Sequence, residues 1–436
     1  MDMARDKQAV EPRASVPAAR AAHLAARIGR LLYMNGADTR HVAHNVTEIA
    51  RHLGHPAHAL VTPEGILVTV GTEEQFSTKL GHEVAATGVN MGKLLEIQQI
   101  ADDILLRRDG SFEIERRIDD AERNSHGYPE YVVILGVAVT TGSLAMLFGS
   151  SWTVALASFV TGLVSTLLRR RLPELLPNPF AVTFAVAIIS GLVAVFALRL
   201  RPEESPILAL TAAGMILVPG VPLINGIREI ATGHAGNGIA RLTTGITLVL
   251  TIGFALYVVG VVTGAKLPVD VGPGMLPVPE DLLFSALAAI GFALLFNVPV
   301  RGIAFCVIAG MASHGLRTGL EELGINLPIA SLIGAIVAAL IARLAASIHQ
   351  VPAVVFAFPG VVAMIPGSFG FRAGIGGLEI MSLGAKAPLD LVANTFSLAI
   401  ITTITTIAIA IGLALPLSGF PNEPSPANSR KDQDHE

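Results

Sequence analysis

One short pattern occurs twice in the apolar part of this chain. Met215–Ile230 reads MILVPGVPLINGIREI, and Met364–Ile380 reads MIPGSFGFRAGIGGLEI. Each time an apolar run meets Pro-Gly and is followed by small residues, an Arg and Glu-Ile. Breaking a helix inside lipid exposes backbone polar groups at a cost of several kcal/mol each. Two breaks at corresponding positions are typical of secondary transporters, whose interrupted helices from paired repeats form one site near the midplane of the bilayer.

The composition also predicts a membrane protein. Hydrophobic residues make up 52% of the chain and charged residues 15%, whereas soluble domains contain roughly 25% charged residues. The apolar blocks extend from Tyr131 to Leu417, and residues 1–127 carry most of the histidines. A net charge of −4 argues against a nucleic-acid partner. The single cysteine, Cys306, excludes an intrachain disulfide and a metal-thiolate cluster.

Hydropathy predicts ten spans, arranged as two repeats of five. The fourth and ninth are short and end at Pro219-Gly220 and Pro366-Gly367. Asn178 before the third span matches Asn326 before the eighth. Because five is odd, the second repeat enters the membrane from the opposite side, which makes the repeat inverted. The ten spans are 131–149, 152–168, 180–199, 206–221, 239–263, 281–299, 301–317, 327–346, 351–366 and 390–414.

The predicted fold is therefore an all-α polytopic membrane protein preceded by a small α+β domain. An arginine cluster before the first span and Arg169–Arg171 after the second lie on one side of the membrane. By the positive-inside rule that side is cytosolic, so the α+β domain and both termini are expected in the cytosol and the chain in the cytoplasmic membrane. The predicted segments are a disordered N-terminus (1–18), the cytosolic domain (19–127), the first repeat (128–265), a loop (266–280), the second repeat (281–416) and a disordered tail (417–436).

The N-terminal domain is predicted to contain helices at Ala19–Met34 and after Asp38 or Thr39, two strands at 59–62 and 66–70, and helices near 90–106 and 111–124. Histidines are dense here: His41, His44, His52, His55 and His58. They would suit a zinc or hydrolase site. Without an HExxH pattern or a nearby cysteine, a solvated polar helix face is favoured, so no metal, cofactor or enzymatic activity is predicted.

The candidate site lies around the two breaks. The N-terminus of a half-helix offers free N–H groups and a positive dipole end to a substrate carboxylate. Glu229 and Glu379 would hold a substrate ammonium or carry a coupling proton, because an ionisable group at membrane depth is a functional candidate. Arg228 and Arg372 would pair with them or bind a carboxylate. The predicted site residues are Pro219, Gly220, Asn225, Arg228, Glu229, Pro366, Gly367, Ser368, Arg372 and Glu379.

Two alternatives remain open at these positions. Arg228 and Glu229 would be an ordinary solvated pair if they lay in a cytosolic loop. His314, Asn297 and Asn394 interrupt apolar runs, and each is more often an interhelical hydrogen bond than a ligand.

The chain resembles the threonine/serine exporter family. The resemblance is carried by LLYMNGADTRHVAHNVTEIARHLG, by LVTPEGILVTV and by LVPGVPLINGIREIATGHAGNGIARLTTG. In the last stretch the family's Pro-Gly, Asn-x-x-Arg-acidic and Gly-x-x-Arg-Leu elements fall on Pro219-Gly220, Asn225 to Glu229, and Gly238 to Leu242. The acidic residue is usually Asp in the family and here is Glu229. From about residue 281 the chain resembles a smaller membrane domain that some relatives carry separately.

The resemblance implies proton-driven export of threonine and serine, and split relatives imply export of dicarboxylates such as succinate as an alternative. The expected partners are a small carboxylated substrate, protons and the lipid bilayer, and homo-oligomer formation is left open. Two other classes compete with a transporter. One is a membrane-anchored hydrolase that uses the histidine-rich domain, and the other is a channel, against which the absence of a filter motif counts.

Overall fold

The computed structural model describes residues 16–71, 75–82, 89–106, 111–123, 127–199, 217–265, 276–349 and 351–418, together with 209, 212 and 214. The chain divides into two compact units. The first comprises Met1–Gly88, Glu96–Ser125 and Pro424–Glu436, and the second Val89–Leu95 and His126–Glu423.

The first unit begins with helices α1 (Ala18–Met34) and α2 (Thr39–His52). Asp38 caps α2 by accepting a hydrogen bond from the His41 backbone N–H, as the sequence predicts. Strands β1 (Ala57–Thr62), β2 (Gly65–Gly71) and β3 (Phe76–His82) follow as an antiparallel meander in the order β1-β2-β3. The third strand was not predicted.

Helices α3 (Met91–Leu105) and α4 (Ser111–Arg123) come next. Three arginines on one face of α1 form ion pairs with acidic residues of α4. Because they recur at helical spacing, they hold α4 along α1. The pairs are Arg20 with Glu115, Arg27 with Asp119 and Glu122, and Arg30 with Glu122.

The second unit is helical throughout its described part. Among the described residues, eight helices are long and apolar enough to cross a membrane, or nine if the bent pair Val354–Met364 and Gly367–Lys386 counts as one span. The predicted fourth span, 206–221, lies mostly outside the described residues. The helices are α5 (Glu130–Leu147), α6 (Trp152–Arg171), α7 (Pro179–Leu198), α8 (Gly220–Ala231), α9 (Ala235–Thr263), α10 (Val278–Leu295), α11 (Val300–Glu322), α12 (Leu327–His349), α13 (Val354–Val361), α14 (Gly367–Leu383) and α15 (Leu389–Ser418).

Small residues let α5 and α10 approach closely. A Cβ atom on Gly291 would meet Thr140 Oγ1 and the Gly136 carbonyl. Contacts of this kind are a main source of helix association in lipid, where the hydrophobic effect between helices is absent.

Matching asparagines begin α7 and α12. The Asn178 side chain accepts hydrogen bonds from the Phe180 and Ala181 N–H groups, and the Asn326 side chain accepts one from the Ile329 N–H. Asn297 does not interrupt a helix. It adopts a positive φ of 55° between α10 and α11.

Candidate functional site

The two Pro-Gly breaks have nearly the same backbone conformation. Pro219 has φ −77° and ψ 65°, and Pro366 has φ −77° and ψ 47°. In each break the glycine N–H donates to the carbonyl two residues earlier, from Gly220 to Val218 at 2.8 Å and from Gly367 to Ile365 at 2.7 Å. This is the inverse γ-turn, whose φ the proline ring favours. Each turn ends one segment and begins a buried helix, α8 or α14.

The two breaks contact each other. A Cβ atom on Gly220 would meet Cδ1 of Ile365, the residue before the second Pro-Gly. Gly220, Ile365, Pro366 and Gly367 are all buried. The two helix N-termini therefore begin close together inside the second unit.

Charged groups on α8 and α9 are also buried. Arg228 Nη1 donates to Asn225 Oδ1 at 3.2 Å. Glu229 forms an ion pair with Arg241, with Nε and Oε2 3.2 Å apart. Asn225 and Glu229 are each 1% exposed, and Arg228 is 7% exposed. This burial rules out the alternative of a solvated loop pair.

Glycines bring α8 and α9 close enough for this pairing. A Cβ atom on Gly238 would lie 2.5 Å from the Gly226 carbonyl oxygen and 3.0 Å from the Ile230 backbone nitrogen. Substitution there would force the two backbones apart. The glycines thus allow Arg241 to reach Glu229 across the hairpin.

The second break has its own buried polar residues. Ser368 and Arg372 lie in the first turns of α14 and are 6% and 5% exposed. The Arg372 guanidinium carbon is 5.3 Å from the centre of the Phe369 ring, close enough for a cation–π interaction.

Glu379 lies apart from the break. It follows Gly367 by twelve positions in α14, which is roughly 18 Å along a helix, and its side chain is half-buried. The structure therefore does not bring Glu379 together with the residues at the Pro-Gly turns.

Two buried polar residues of the second unit are not among the predicted site residues. Arg241 pairs with Glu229. Thr405 is fully buried on α15, one turn beyond Thr402, which packs against Gly370. Its hydroxyl has no hydrogen-bond partner among the described residues. The signal available was the repeated Thr-Thr-Ile of α15, a polar stripe in an apolar span.

Two histidines of the first unit have ordinary hydrogen bonds. His41 Nε2 lies 2.8 Å from Gln98 Oε1, and His55 Nε2 lies 2.6 Å from the Val16 carbonyl oxygen. In the parts of the chain that the structure describes, no three histidine, cysteine or acidic side chains are grouped so that they could hold a metal ion.

In the described residues, eight helices that are long and apolar enough to span a bilayer indicate a multi-pass membrane protein. Family models described as threonine/serine exporter match residues 23–263 and 281–418. The chain belongs to the threonine/serine exporter family.

Individual relatives differ in name and in coverage. A threonine/serine exporter of Corynebacterium glutamicum is 28% identical over 59% of this chain and 53% of its own length, so the match spans about half of that relative. The "Probable succinate transporter subunit YjjP" of Escherichia coli is 28% identical over 53% of this chain and 91% of its own. The "Probable threonine/serine exporter" of Mycobacterium tuberculosis is 24% identical over 80% and 68%. No solved structure matches the chain.

Proposed function

We propose that this protein is a secondary active transporter that exports threonine, serine or a similar small amino acid across the cytoplasmic membrane, driven by protons. The observation that carries the proposal is the contact between the two Pro-Gly turns through Gly220 and Ile365. Paired interrupted helices that meet inside a membrane protein are the arrangement in which transporters bind small ions and zwitterions.

The buried charges suit a carboxylated substrate. Among the described residues Arg228, Arg241 and Arg372 are buried, and so is the acidic residue Glu229. The N-termini of α8 and α14 add two positive dipole ends. A substrate carboxylate would be stabilised by the buried arginines on α8 and α9, and the ammonium group by Glu229 beside them. The amide of Asn225 and the hydroxyl of Thr405 are suited to the substrate hydroxyl.

The packing of the helices is consistent with an inverted repeat of five and five. Helix α8 of the first half packs on α15 of the second, and α14 of the second packs on α9 of the first. Each interrupted helix thus contacts the last helix of the other half. Exchange between two mirror-related arrangements of such halves would open the site to alternate sides, with both termini in the cytosol.

Succinate is the second candidate substrate, because three arginines are buried on these helices and because of the name of the E. coli relative. Succinate has two carboxylates and no ammonium. The negative charge of Glu229 would therefore weaken the binding of succinate and strengthen the binding of an amino acid.

Counterflow in proteoliposomes tests the proposal. Vesicles loaded with unlabelled threonine, serine or succinate should accumulate labelled threonine and serine, and a pH gradient should drive net movement. Glu229→Gln should reduce counterflow of threonine and serine more strongly than counterflow of succinate. Only the amino acids have an ammonium group that the Glu229 carboxylate can bind. Exposed Glu174, changed to Gln, is the matched control. Absence of counterflow for all three compounds would reject the proposal.

The same vesicles test the predicted proton carriers. Glu379→Gln and Glu229→Gln should each be compared with the wild-type protein in two assays. One measures transport driven by a pH gradient, and the other measures exchange without a gradient. A variant that keeps gradient-driven transport excludes its residue from proton coupling. Metal bound in stoichiometric amount by the purified protein would favour a membrane-anchored enzyme instead.

A further inference from the structure

A second buried cluster of ionisable residues lies between α10 and α11. His314 Nδ1 is 2.8 Å from both carboxylate oxygens of Asp281. Thr318 donates its hydroxyl to Asp281 Oδ2 at 2.8 Å. All three are buried: His314 is 2% exposed, Asp281 is 3% exposed and Thr318 is 4% exposed. None of them belongs to the site at the Pro-Gly turns.

The hydrogen bonds fix the protonation state of His314. Arg317 Nη2 lies 2.8 Å from His314 Nε2. A guanidinium only donates hydrogen bonds, so Nε2 is the acceptor and carries no proton. Nδ1 then carries the proton and donates it to Asp281. His314 is therefore neutral in this structure, and a second proton on Nε2 would have to displace Arg317.

A polar route leads from this cluster toward one end of the helices. The Arg317 and Glu321 side chains are 15% and 22% exposed, and Arg317 Nε lies 4.0 Å from Glu321 Oε2. Asp281 is in the first turn of α10 and Glu321 in the last turn of α11. Glu321 can therefore receive Arg317 when it leaves His314.

The other elements packed against α11 bring no competing charge to His314. In their described residues, α13 and the turn Val362–Met364 contain no titratable side chain. The titratable side chains of α12 are Arg343 and His349. Both lie toward the end of α12 that is far from His314, where His349 packs on Phe305. On α10 the neighbouring acid, Glu280, is exposed. The charged groups that face His314 are thus Asp281 and Arg317, with Glu321 beyond Arg317.

The residue next to His314 connects it to the second break. The Ser313 hydroxyl donates to the Gly360 carbonyl at 3.1 Å, in the helix that leads to Pro366. A Cβ atom on Gly360 would lie 2.8 Å from the Ala309 Cβ. A shift of α11 at His314 would therefore be transmitted to the segment before the turn.

We propose that His314, rather than Glu229 or Glu379, binds and releases the coupling proton, by exchanging Arg317 for a proton at Nε2. This rests on the proposed function as a proton-driven transporter. A proton from water bonds to the Nε2 lone pair, and Arg317 turns to Glu321. The imidazolium stays hydrogen-bonded to Asp281, and release of the proton to water lets Arg317 return. Intramembrane histidine and carboxylate pairs are suited to such a relay.

Transport assays on His314→Gln test the proposal. The variant should keep threonine and serine counterflow at equal pH on both sides, but lose accumulation driven by a pH gradient and the substrate-dependent movement of protons reported by a dye inside the vesicles. Asp281→Asn should weaken the same gradient-driven step, and Glu280→Gln, its exposed neighbour, should behave as wild type. Gradient-driven transport by His314→Gln at the wild-type rate would overturn the proposal.

A second variant keeps the test valid if His314→Gln fails to fold. Arg317→Gln removes the positive charge that competes with the proton. The pH at half-maximal gradient-driven transport should therefore rise by about one unit or more. A purely structural role for the cluster would change the amount of folded protein and leave the pH profile in place. An unchanged profile overturns the proposal.

A measurement without transport separates this proposal from the proposed function. Imidazole ¹⁵N spectra of the full-length protein, compared with those of His314→Gln, identify the His314 signals. The structure predicts the neutral Nδ1–H form near neutral pH and conversion to imidazolium on acidification. A His314 that stays neutral throughout overturns the assignment. Wild-type protein without counterflow, but with a titrating His314, would count against the proposed function alone.

Discussion

The threonine hydroxyls on the last helix differ in whether they form a hydrogen bond within that helix. Thr402, Thr403 and Thr406 donate to the carbonyls four residues earlier, at 2.7 to 2.9 Å. Such bonds satisfy a hydroxyl within its own helix. Thr405 makes no such bond among the described residues, although it is fully buried. A buried hydroxyl without a partner is costly, which makes it a candidate for binding a ligand.

The first prediction concerns this hydroxyl. Thr405→Val keeps the volume and removes the polar atom. We expect KM for threonine to rise by about tenfold, the effect of losing one hydrogen bond of ~1.4 kcal/mol. The measurement is the concentration dependence of counterflow. The control is Thr403→Val, because Thr403 is exposed and bonded to its own helix. Equal effects of both variants would remove Thr405 from the site.

The sequence predicted candidate site residues but not their partners. Asn225, Arg228 and Glu229 could be selected because they follow a helix break. Arg241 could not, since its pairing with Glu229 depends on the close approach of Gly226 and Gly238, which is a tertiary contact. Glu379 stood out as an isolated charge, yet helical rise alone carries it away from the break.

At the scale of the elements, the breaks act as a pair. Gly220 lies against Ile365, so each turn limits the position of the other. Proline and glycine select the same turn on both sides, which explains why the sequence pattern predicts the breaks well. That the turns touch could not be predicted, because it depends on how the halves pack.

The second prediction tests this contact. Gly220→Ala places a methyl group against Ile365 Cδ1 and should reduce transport, whereas Gly220→Ala with Ile365→Ala should recover part of it. The interaction energy of the double-mutant cycle should be about 0.5–3 kcal/mol. Gly374→Ala is the control, since a Cβ there meets nothing within 4 Å. Additive effects would show that the two turns are independent.

The sequence predicts the start of a helix where a capping side chain determines it. The Asp38 cap begins α2, and Asn178 begins α7. Strand β3 was missed because Phe76–His82 has little apolar alternation of its own. It forms by pairing along β2, with Leu80 opposite Leu67.

The third prediction concerns the ion pairs between α1 and α4. Burial raises the pKa of Glu122, but the hydrogen bonds and charges of Arg27 and Arg30 outweigh it, so the pKa is lowered overall. The hydrogen bond from Arg27 lowers the pKa of Asp119 as well. A lowered folded-state pKa gives stability that is present above the ordinary carboxylate pKa and lost as the pH falls through the folded value.

Hydrogen exchange of α4, expressed as protection relative to the intrinsic rate, measures this effect. Protection should fall as the pH drops below about 4. Arg27→Gln should lower it already at neutral pH and weaken its dependence on pH. Arg116→Gln is the control, because its partner Glu113 lies on the same helix. Wild-type protection in the Arg27 variant would show that these pairs do not hold α4.

At the scale of the whole molecule, each interrupted helix packs on the last helix of the other half. Equivalent loops of an inverted repeat must lie on opposite sides of the membrane. In the proposed inverted repeat, the loop before α9 and the loop before α15 are such a pair.

The fourth prediction follows from this arrangement. Cys306 is the only cysteine, so Cys306→Ala provides a cysteine-free background. Of single cysteines at Ala235 and Lys386, both exposed, one should react with a membrane-impermeant maleimide in intact cells and the other only after the cells are permeabilised. Labelling from the same side would reject the inverted repeat.

The close approach of Gly226 and Gly238 has a consequence for motion. Because the Gly226 carbonyl lies against Gly238, and the Ile230 and Leu242 side chains pack on these glycines, α8 and α9 cannot slide past each other without a clash, so we expect this hairpin to move as one rigid body. The change of shape during transport would then be concentrated at Pro219, as at a hinge.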